Sequence, residues 1–283
     1  MLKKQLMRNI LFIISLIAAV CSCGVLHVEA KAEDPLADVP VNMRKDVQKA
    51  VLCIKRLPGK YKEALLAEVY GLLYMNNGND PFVGEGADYI ENERVPYKST
   101  DNKASFIGTD GKVYNFNTLA RDKEKKAKIQ DNWIHAKLYL SHVGSKVVRP
   151  QLESVLRQME TKWMEFWLKQ MPEKYLDAFI AEECGLMYEP GKKKSALTGE
   201  MGQESLRGIN ISYKRYSRDA RFTSLDGKEY SFKEISKERY DHLPLVQGLW
   251  VNGRYFMFLM GPEKFLSFCA ERVEKLKAVN KLD

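Results

Sequence analysis

The chain has 283 residues, of which 45 are basic and 37 are acidic, giving a formal net charge of +8. Hydrophobic residues make up 45% and charged residues 29%, proportions that exclude wholesale disorder. A mean hydropathy of −0.38 excludes a multi-span membrane protein, and five cysteines are too few for a disulfide scaffold.

The first twenty residues have the pattern of an export signal. Lys3, Lys4 and Arg8 give residues 1–9 a positive charge with no acidic residue, and residues 10–20 are apolar with a single polar exception. A positive segment followed by about 7–15 apolar residues is typical of a secretory signal. A permanent membrane helix needs about 20 apolar residues, so this run is too short to be one.

The residues that follow resemble the lipobox of bacterial lipoproteins. In Val20-Cys21-Ser22-Cys23 an aliphatic residue and two small ones precede a cysteine. The resemblance implies that residues 1–22 are a signal peptide, that Cys23 is lipidated and that its acyl chains bind a membrane. Ordinary signal cleavage after Ala30, which ends a small-x-small pattern, is the alternative. Either way we expect a protein exported to the cell envelope, periplasmic or anchored to the outer membrane, with no nucleic-acid partner.

The side chains that most often bind metals or attack substrates are sparse. Cys53, Cys184 and Cys269 are far apart and lack both C-x-x-C spacing and a nearby histidine, so at most one disulfide can form. His135 and His142 lie seven residues apart beside a predicted strand, which would turn them to opposite faces. No nucleophile elbow or zinc-protease motif occurs. We therefore predict no catalytic residue, no metal and no cofactor.

The sequence contains an internal repeat. Residues 55–74 and 169–188 are identical at ten of twenty positions. The match continues at offsets of 116 and 117 residues, so that Asp110-Gly111-Lys112 recurs at residues 226–228. A nearly constant offset predicts two tandem copies of a unit of about 115 residues.

Each copy is predicted to begin with a pair of helices. Apolar residues at helical spacing precede a proline, and a second such run follows it. Gly78 and Gly191 stand where a left-handed residue would end the second helix. The predicted helices cover residues 43–54 and 61–74 in the first copy, and residues 152–167 and 175–188 in the second.

Short β-prone segments follow the helices. Asp110-Gly111 and its copy Asp226-Gly227 are typical of a two-residue type I′ hairpin turn, since both central residues of that turn need positive φ. Such a turn would set two pairs of residues opposite each other, Ile107 with Tyr114 and Thr223 with Tyr230.

The second copy carries a further hairpin signal. Asn252-Gly253 predicts a turn between two strands, over Leu245–Val251 and Arg254–Met260. The last stretch, Pro262–Lys281, returns to a helical pattern.

These patterns predict an α+β protein with two tandem modules, each a helix pair packed on about four antiparallel strands. Glycine-linked strands at this spacing leave no room for the crossovers of a parallel sheet. Helices on a curved antiparallel sheet are similar in architecture to nuclear-transport-factor-2-like and cystatin-like folds, and we recognise no family motif in the folded part. The predicted organisation is a signal peptide with lipobox (1–22), a tether (23–40), a first module (41–146) and a second module with a C-terminal helix (147–283).

One segment of the second copy suggests ligand binding. Tyr213, Lys214, Tyr216 and Arg218 combine cations with aromatic rings, and on a strand the last three share a face. Such a face could bind an anionic or carbohydrate ligand of the cell envelope. An edge strand protected from aggregation by its charges is the alternative.

The sequence favours a non-catalytic binding or assembly module of the cell envelope. The alternatives are an envelope hydrolase using carboxylates such as Glu182 or Glu183, and a purely structural component. Residues kept in both copies, among them Glu68 with Glu182 and Trp133 with Trp250, are best explained as framework, because one active site need not occur twice. A pocket lined by polar residues that differ between the copies would favour binding or catalysis.

Overall fold

Helices and strands follow the same order twice along the chain in this computed structural model, which describes residues 36–191, 194–206 and 209–281. The predicted signal peptide, the lipobox with Cys23 and the alternative cleavage site after Ala30 lie outside the described residues. In the described part, no helix is both long enough and apolar enough to cross a bilayer.

The first half runs from a helix pair through two hairpins to a second helix pair. Its elements are α1 (Val41–Arg56), α2 (Gly59–Val69), β1 (Phe82–Ile90), β2 (Glu93–Thr100), β3 (Ser105–Ile107), β4 (Val113–Asn115), α3 (Phe116–Glu124), α4 (Ala127–Val143), α5 (Ser145–Val148) and a 3-10 turn (Arg149–Leu152).

The second half repeats this order and ends in one further helix. Its elements are α6 (Glu153–Gln170), α7 (Glu173–Cys184), β5 (Leu197–Leu206), β6 (Ile209–Tyr216), β7 (Arg221–Thr223), β8 (Glu229–Ser231), α8 (Phe232–His242), α9 (Pro244–Met260), α10 (Pro262–Ser267) and α11 (Ala270–Val279). The predicted α+β class and the predicted helix pairs are confirmed. The predicted C-terminal helix is two helices, α10 and α11.

The strands form four separate two-stranded antiparallel sheets, β1–β2, β3–β4, β5–β6 and β7–β8. The antiparallel arrangement was predicted, but one curved sheet of about four strands per half does not form among the described strands. Each long hairpin packs on a helix of its own half. In the first half Ile90 and Val95 of the hairpin contact Leu138 of α4, and in the second Leu206 and Ile211 contact Val251 of α9.

The helices α2 and α7 end earlier than predicted. Gly71 and Gly185 have φ values of 72° and 73°, and this left-handed conformation stops each helix. The amide of Leu72 donates to the Ala67 carbonyl at 2.8 Å, which is typical of such an end. Gly78 and Gly191, the predicted ends, have positive φ in the turns that follow.

The short hairpins turn at the predicted Asp-Gly pairs, but not with two residues. Phe106 pairs with Tyr114 and Phe222 pairs with Tyr230, so the predicted partners Ile107 and Thr223 are wrong by one residue. In each turn only the glycine has positive φ, whereas a type I′ turn needs it at both central residues. The loop therefore spans five residues, and its aspartate accepts a hydrogen bond from a lysine amide two residues on.

The predicted strands Leu245–Val251 and Arg254–Met260 are wrong, because both lie within helix α9. Asn252-Gly253 is explained by packing instead of by a turn. The Asn252 amide donates to the Met75 carbonyl at 2.9 Å, and a Cβ at Gly253 would lie 3.0 Å from the Trp167 ring.

Aromatic side chains form the centre of the core. The rings of Trp163 and Phe256 stack with centroids 3.6 Å apart, and Trp167 packs edge-on against both Phe179 and Phe265 at 5.2 Å. These rings come from α6, α7, α9 and α10. The chain from Pro40 onward is one compact unit.

Candidate functional site

An open cleft of about 1400 Å³ lies at the end of α2 in the first half. The β1–β2 hairpin, α4 and α5 form most of its walls, and α9 and α10 of the second half complete it. Two carboxylates, Glu68 and Glu85, line the cleft. Six cationic side chains line it as well: Arg94, Lys98, Lys137, Lys146, Arg149 and Lys264.

A half-buried ion pair lies on one side of the cleft. Lys137 Nζ donates to Glu68 Oε1 at 2.7 Å, and the two side chains are 18% and 9% exposed. The ring of Tyr97 lies 5.6 Å from the same ammonium group. Tyr97 is directly opposite Gly86 in the hairpin, and a Cβ at Gly86 would lie 2.5 Å from its ring, so the glycine lets the ring lie flat across the strand.

A second ionic group joins the 3-10 turn to α10. Arg149 and Lys264 both bind the buried carboxylate of Glu160, at 2.6 and 2.7 Å. Arg149 Nε also lies 3.7 Å from the carboxylate of Glu153. The Arg149 guanidinium lies 5.6 Å from the ring of Tyr70, whose hydroxyl donates to the Ser145 carbonyl.

Three cations of the cleft are without a carboxylate partner among the described residues. Arg94, Lys98 and Lys146 are exposed and form no ion pair there, although the Lys98 ammonium lies 5.2 Å from the ring of Phe82. Six cations face four carboxylates, which are Glu68 and Glu85 in the lining and Glu153 and Glu160 beside Arg149. The cleft therefore carries an excess of positive charge.

The corresponding position of the second half is filled by a buried ionic cluster. Arg254 replaces Lys137, binds Glu182, and contacts Glu204 at 3.0 Å and Glu183 at 3.7 Å. Its side chain is 8% exposed and that of Glu182 is 4% exposed. The guanidinium therefore interacts with three carboxylates of the same half.

Two further side chains of the second half bind backbone carbonyls at the end of α7. Lys214 Nζ donates to the Glu183 carbonyl at 2.9 Å, and the Tyr216 hydroxyl donates to the Glu182 carbonyl. These groups bind carbonyls that a helix end leaves without intrahelical partners.

Burial sets the acidity of this cluster. Burial and the neighbouring carboxylate of Glu182 together raise the pKa of Glu183 to about 7, against the opposing attraction of Arg254. The pKa of Glu182 is also raised by burial, against the attraction of Arg254.

The structure brings three of the four predicted ligand-binding residues into this cluster. The ring of Tyr213 lies 4.9 Å from the Arg254 guanidinium, and Lys214 and Tyr216 bind the end of α7. Arg218 lies beyond β6 and is exposed. Their role in ligand binding stays a prediction, and their positions in the fold are those of structural side chains.

The sequence analysis did not single out the cleft residues. The sequence does indicate the cleft, through positions at which the two repeated segments differ. Val69 stands where the second copy has Glu183, and Thr100 stands where it has Tyr216. Two of the side chains that fill the second half, those of Glu183 and Tyr216, are therefore absent from the first.

The two histidines predicted beside a strand lie on helix α4, which places them on one face two turns apart. His135 contacts Glu91 at 3.3 Å, and His142 contacts Glu93 at 2.6 Å. Both carboxylates belong to the tip of the β1–β2 hairpin. Among the described residues, no group of side chains has the arrangement of a metal site.

The three cysteines of the described residues are free thiols. Cys269 is buried, and burial raises the pKa of its thiol to about 11, which disfavours the reactive thiolate. Cys53 and Cys184 are half-buried.

Comparison of the chain with protein families, with characterised proteins and with solved structures finds no match.

Proposed function

We propose that the protein is an exported, lipid-anchored and non-catalytic binding module of the cell envelope, and that the cleft of its first half binds an anionic ligand. One observation carries the proposal. Corresponding carboxylate–cation pairs are surrounded by an open, positively charged cleft in one half and by a buried cluster of one guanidinium and three carboxylates in the other. Open space combined with an excess of positive charge, present in the first half, is typical of a binding site for an anion.

The proposal includes an origin of the two halves by tandem duplication. Contacts repeated at the sequence offset support it. Lys123 bonds Gln130 as Arg239 bonds Gln247. Two further pairs of contacts recur in the same way: Lys123 over Trp133 and Arg239 over Trp250, and Tyr114 to Asp110 and Tyr230 to Asp226. The similarity to nuclear-transport-factor-2-like or cystatin-like folds stays a prediction.

A titration with small anions tests the binding site. We expect inorganic phosphate or citrate to shift backbone amide resonances around the cleft in a ¹⁵N-labelled protein. Lys98→Gln with Lys146→Gln should weaken this binding about tenfold, because each exposed cation contributes up to about 1 kcal/mol to such contacts. The same double change at Lys125 and Lys233, two exposed lysines outside the cleft, is the matched control. Equal losses in both double variants would contradict a specific site.

Metabolic labelling tests the anchor. We expect radiolabelled palmitate to enter the protein and to be lost on Cys23→Ala, because the lipobox resemblance makes this cysteine the acylated residue. Cleavage after Ala30 instead would leave the protein unlabelled, and labelling that survives the substitution would exclude Cys23.

The hydrolase alternative receives no specific support from the geometry. Glu182 and Glu183 both contact Arg254 inside the buried cluster, so their partner is a cation of the protein itself. The cleft supplies Glu68, which is already paired with Lys137. We therefore propose binding as the function.

A further inference from the structure

Two of the six cationic side chains of the cleft meet at one junction. Arg149, which begins the 3-10 turn, and Lys264 of α10 both bind Glu160, which is 5% exposed. Lys146 of α5 lines the cleft as well and adds an exposed cation three residues before Arg149. Glu153 lies 3.7 Å from Arg149, so three cations face two carboxylates. This junction therefore offers hydrogen-bond donors and excess positive charge to one anionic group.

The apolar side chains of the cleft adjoin that junction. Leu259 and Met260 end α9 immediately before Gly261, and α10 with its lysine follows. Phe82 of β1 and Ile209 of β6 complete this apolar part. Leu259 is 38% exposed, so part of the apolar surface faces solvent. Uncovered apolar side chains next to a charged group are typical of a ligand groove.

Size and charge together limit what can fill the cleft. A volume of about 1400 Å³ exceeds the about 300–1,000 Å³ of ordinary small-molecule sites, and a single inorganic anion would leave most of it empty. A purely apolar ligand would leave the junction cations unused. An occupant with an anionic head and an extended apolar body satisfies both parts.

Building on the proposed function, we infer that the cleft binds an anionic amphiphile with a single acyl chain. The carboxylate or phosphate group lies at Lys146, Arg149 and Lys264, and the chain lies along Leu259 and Met260. Methylenes of the chain that leave water on binding add affinity that a small anion lacks. Free fatty acids and single-chain phospholipids share this chemistry.

Calorimetry with four probes tests the inference on the full chain carrying Cys23→Ala, so that no acyl anchor competes for the cleft. The probes are laurate, dodecyl phosphate, dodecyl maltoside and inorganic phosphate, each below its micelle concentration. We expect laurate or dodecyl phosphate to bind one to one and at least about tenfold more tightly than the other two. The tighter of the two indicates whether a fatty acid or a phospholipid head group is preferred.

Two neighbouring side chains provide a matched pair of variants. Leu259 lines the cleft, whereas Phe258, 49% exposed, does not. We expect Leu259→Asn to weaken dodecyl phosphate binding about tenfold while leaving phosphate binding unchanged, and Phe258→Asn to change neither. Because both positions are exposed, neither change threatens folding.

The outcomes separate this inference from the proposed function. If small anions bind at the cleft and the chain adds no affinity, the amphiphile inference fails and the proposed function stands. If no anion binds, both fail. Binding of dodecyl maltoside as tight as that of dodecyl phosphate, or equal losses in the two variants, would also overturn the inference.

Discussion

The cleft of the first half and the buried cluster of the second start from corresponding ion pairs and surround them differently. Glu68 with Lys137 is bordered by solvent on one side. Glu182 with Arg254 is enclosed by two further carboxylates and by the side chains that bind the end of α7. A small number of changes in side-chain length therefore separates an open site from a closed core.

The change from lysine to arginine explains much of this difference. A lysine is a point charge on a flexible stem, and Lys137 is held by one carboxylate. A guanidinium presents five donors in a plane, and Arg254 contacts three carboxylates at once. Glu204 can reach it, whereas the corresponding residue of the first half, Asp88, is one methylene shorter and exposed.

Removing the two cations should give the largest contrast between the halves. We expect Arg254→Met to lower the free energy of unfolding by about 3–5 kcal/mol, because it leaves buried carboxylates without their partner. Lys137→Met should lower it by only about 1–2 kcal/mol, since Lys137 borders the open cleft and water can enter where its ammonium group lay. Urea denaturation of both variants at neutral pH measures the difference. Equal losses would mean that the first-half pair is as enclosed as the second.

A smaller contrast should appear in the pH dependence of stability. The pKa of Glu183 rises from 4.5 to about 7 in the folded protein, so folding favours its protonated form. Its contribution is favourable at low pH and is lost as the pH rises from 4.5 through about 7.

The substitution Glu183→Gln isolates this effect. We expect it to leave stability unchanged below pH 4.5 and to raise it by about 1–3 kcal/mol above pH 7, because one pKa unit corresponds to about 1.4 kcal/mol. Denaturation curves across this range measure it, with the exposed Glu200→Gln as control. A variant whose stability parallels that of the wild type at every pH would show that Glu183 ionises freely.

The smallest expected effect concerns the long hairpin of the first half. The bond to the Asp131 carbonyl and the contact with Glu91 raise the pKa of His135 above 6.5. Protonated His135 therefore stabilises the folded protein fully below pH 6.5, and this stabilisation is lost as the pH rises through the pKa of His135 in the folded state. At most about 1 kcal/mol is expected from an exposed pair.

Hydrogen exchange corrected for intrinsic rates measures this effect. The β1–β2 amides should be better protected at about pH 5.5 than at about pH 8. The β5–β6 hairpin is an internal control, because Asn252 and Leu259 replace the two histidines there. His135→Gln should abolish the change. Identical pH responses of the two hairpins would contradict a role for His135.

The sequence predicts those elements whose cause is local. Apolar periodicity was sufficient for the four predicted helices, and the Asp-Gly pairs correctly marked the turns of the short hairpins. The predicted turn type was wrong because only the glycine of each pair has positive φ, whereas a type I′ turn needs it at both central residues. The loop therefore spans five residues instead of two. Helix ends were late because Gly71 and Gly185 lie inside otherwise continuous helical patterns.

The site could not be predicted because its causes lie far apart in the chain. Arg149 and Lys264, 115 positions apart, meet only because both bind Glu160 of α6 in the folded chain. Asn252-Gly253 has the local chemistry of a turn, yet a partner 177 positions away determines its helical role. Comparing the copies for differences, as well as for identities, would have directed attention to Val69 and Thr100.

The contact of Asn252 with Met75 has a consequence for the independence of the two halves. A helix of the second half supports the first half through a buried hydrogen bond between residues 177 positions apart. Neither half can therefore be removed without exposing a surface that the other half buries.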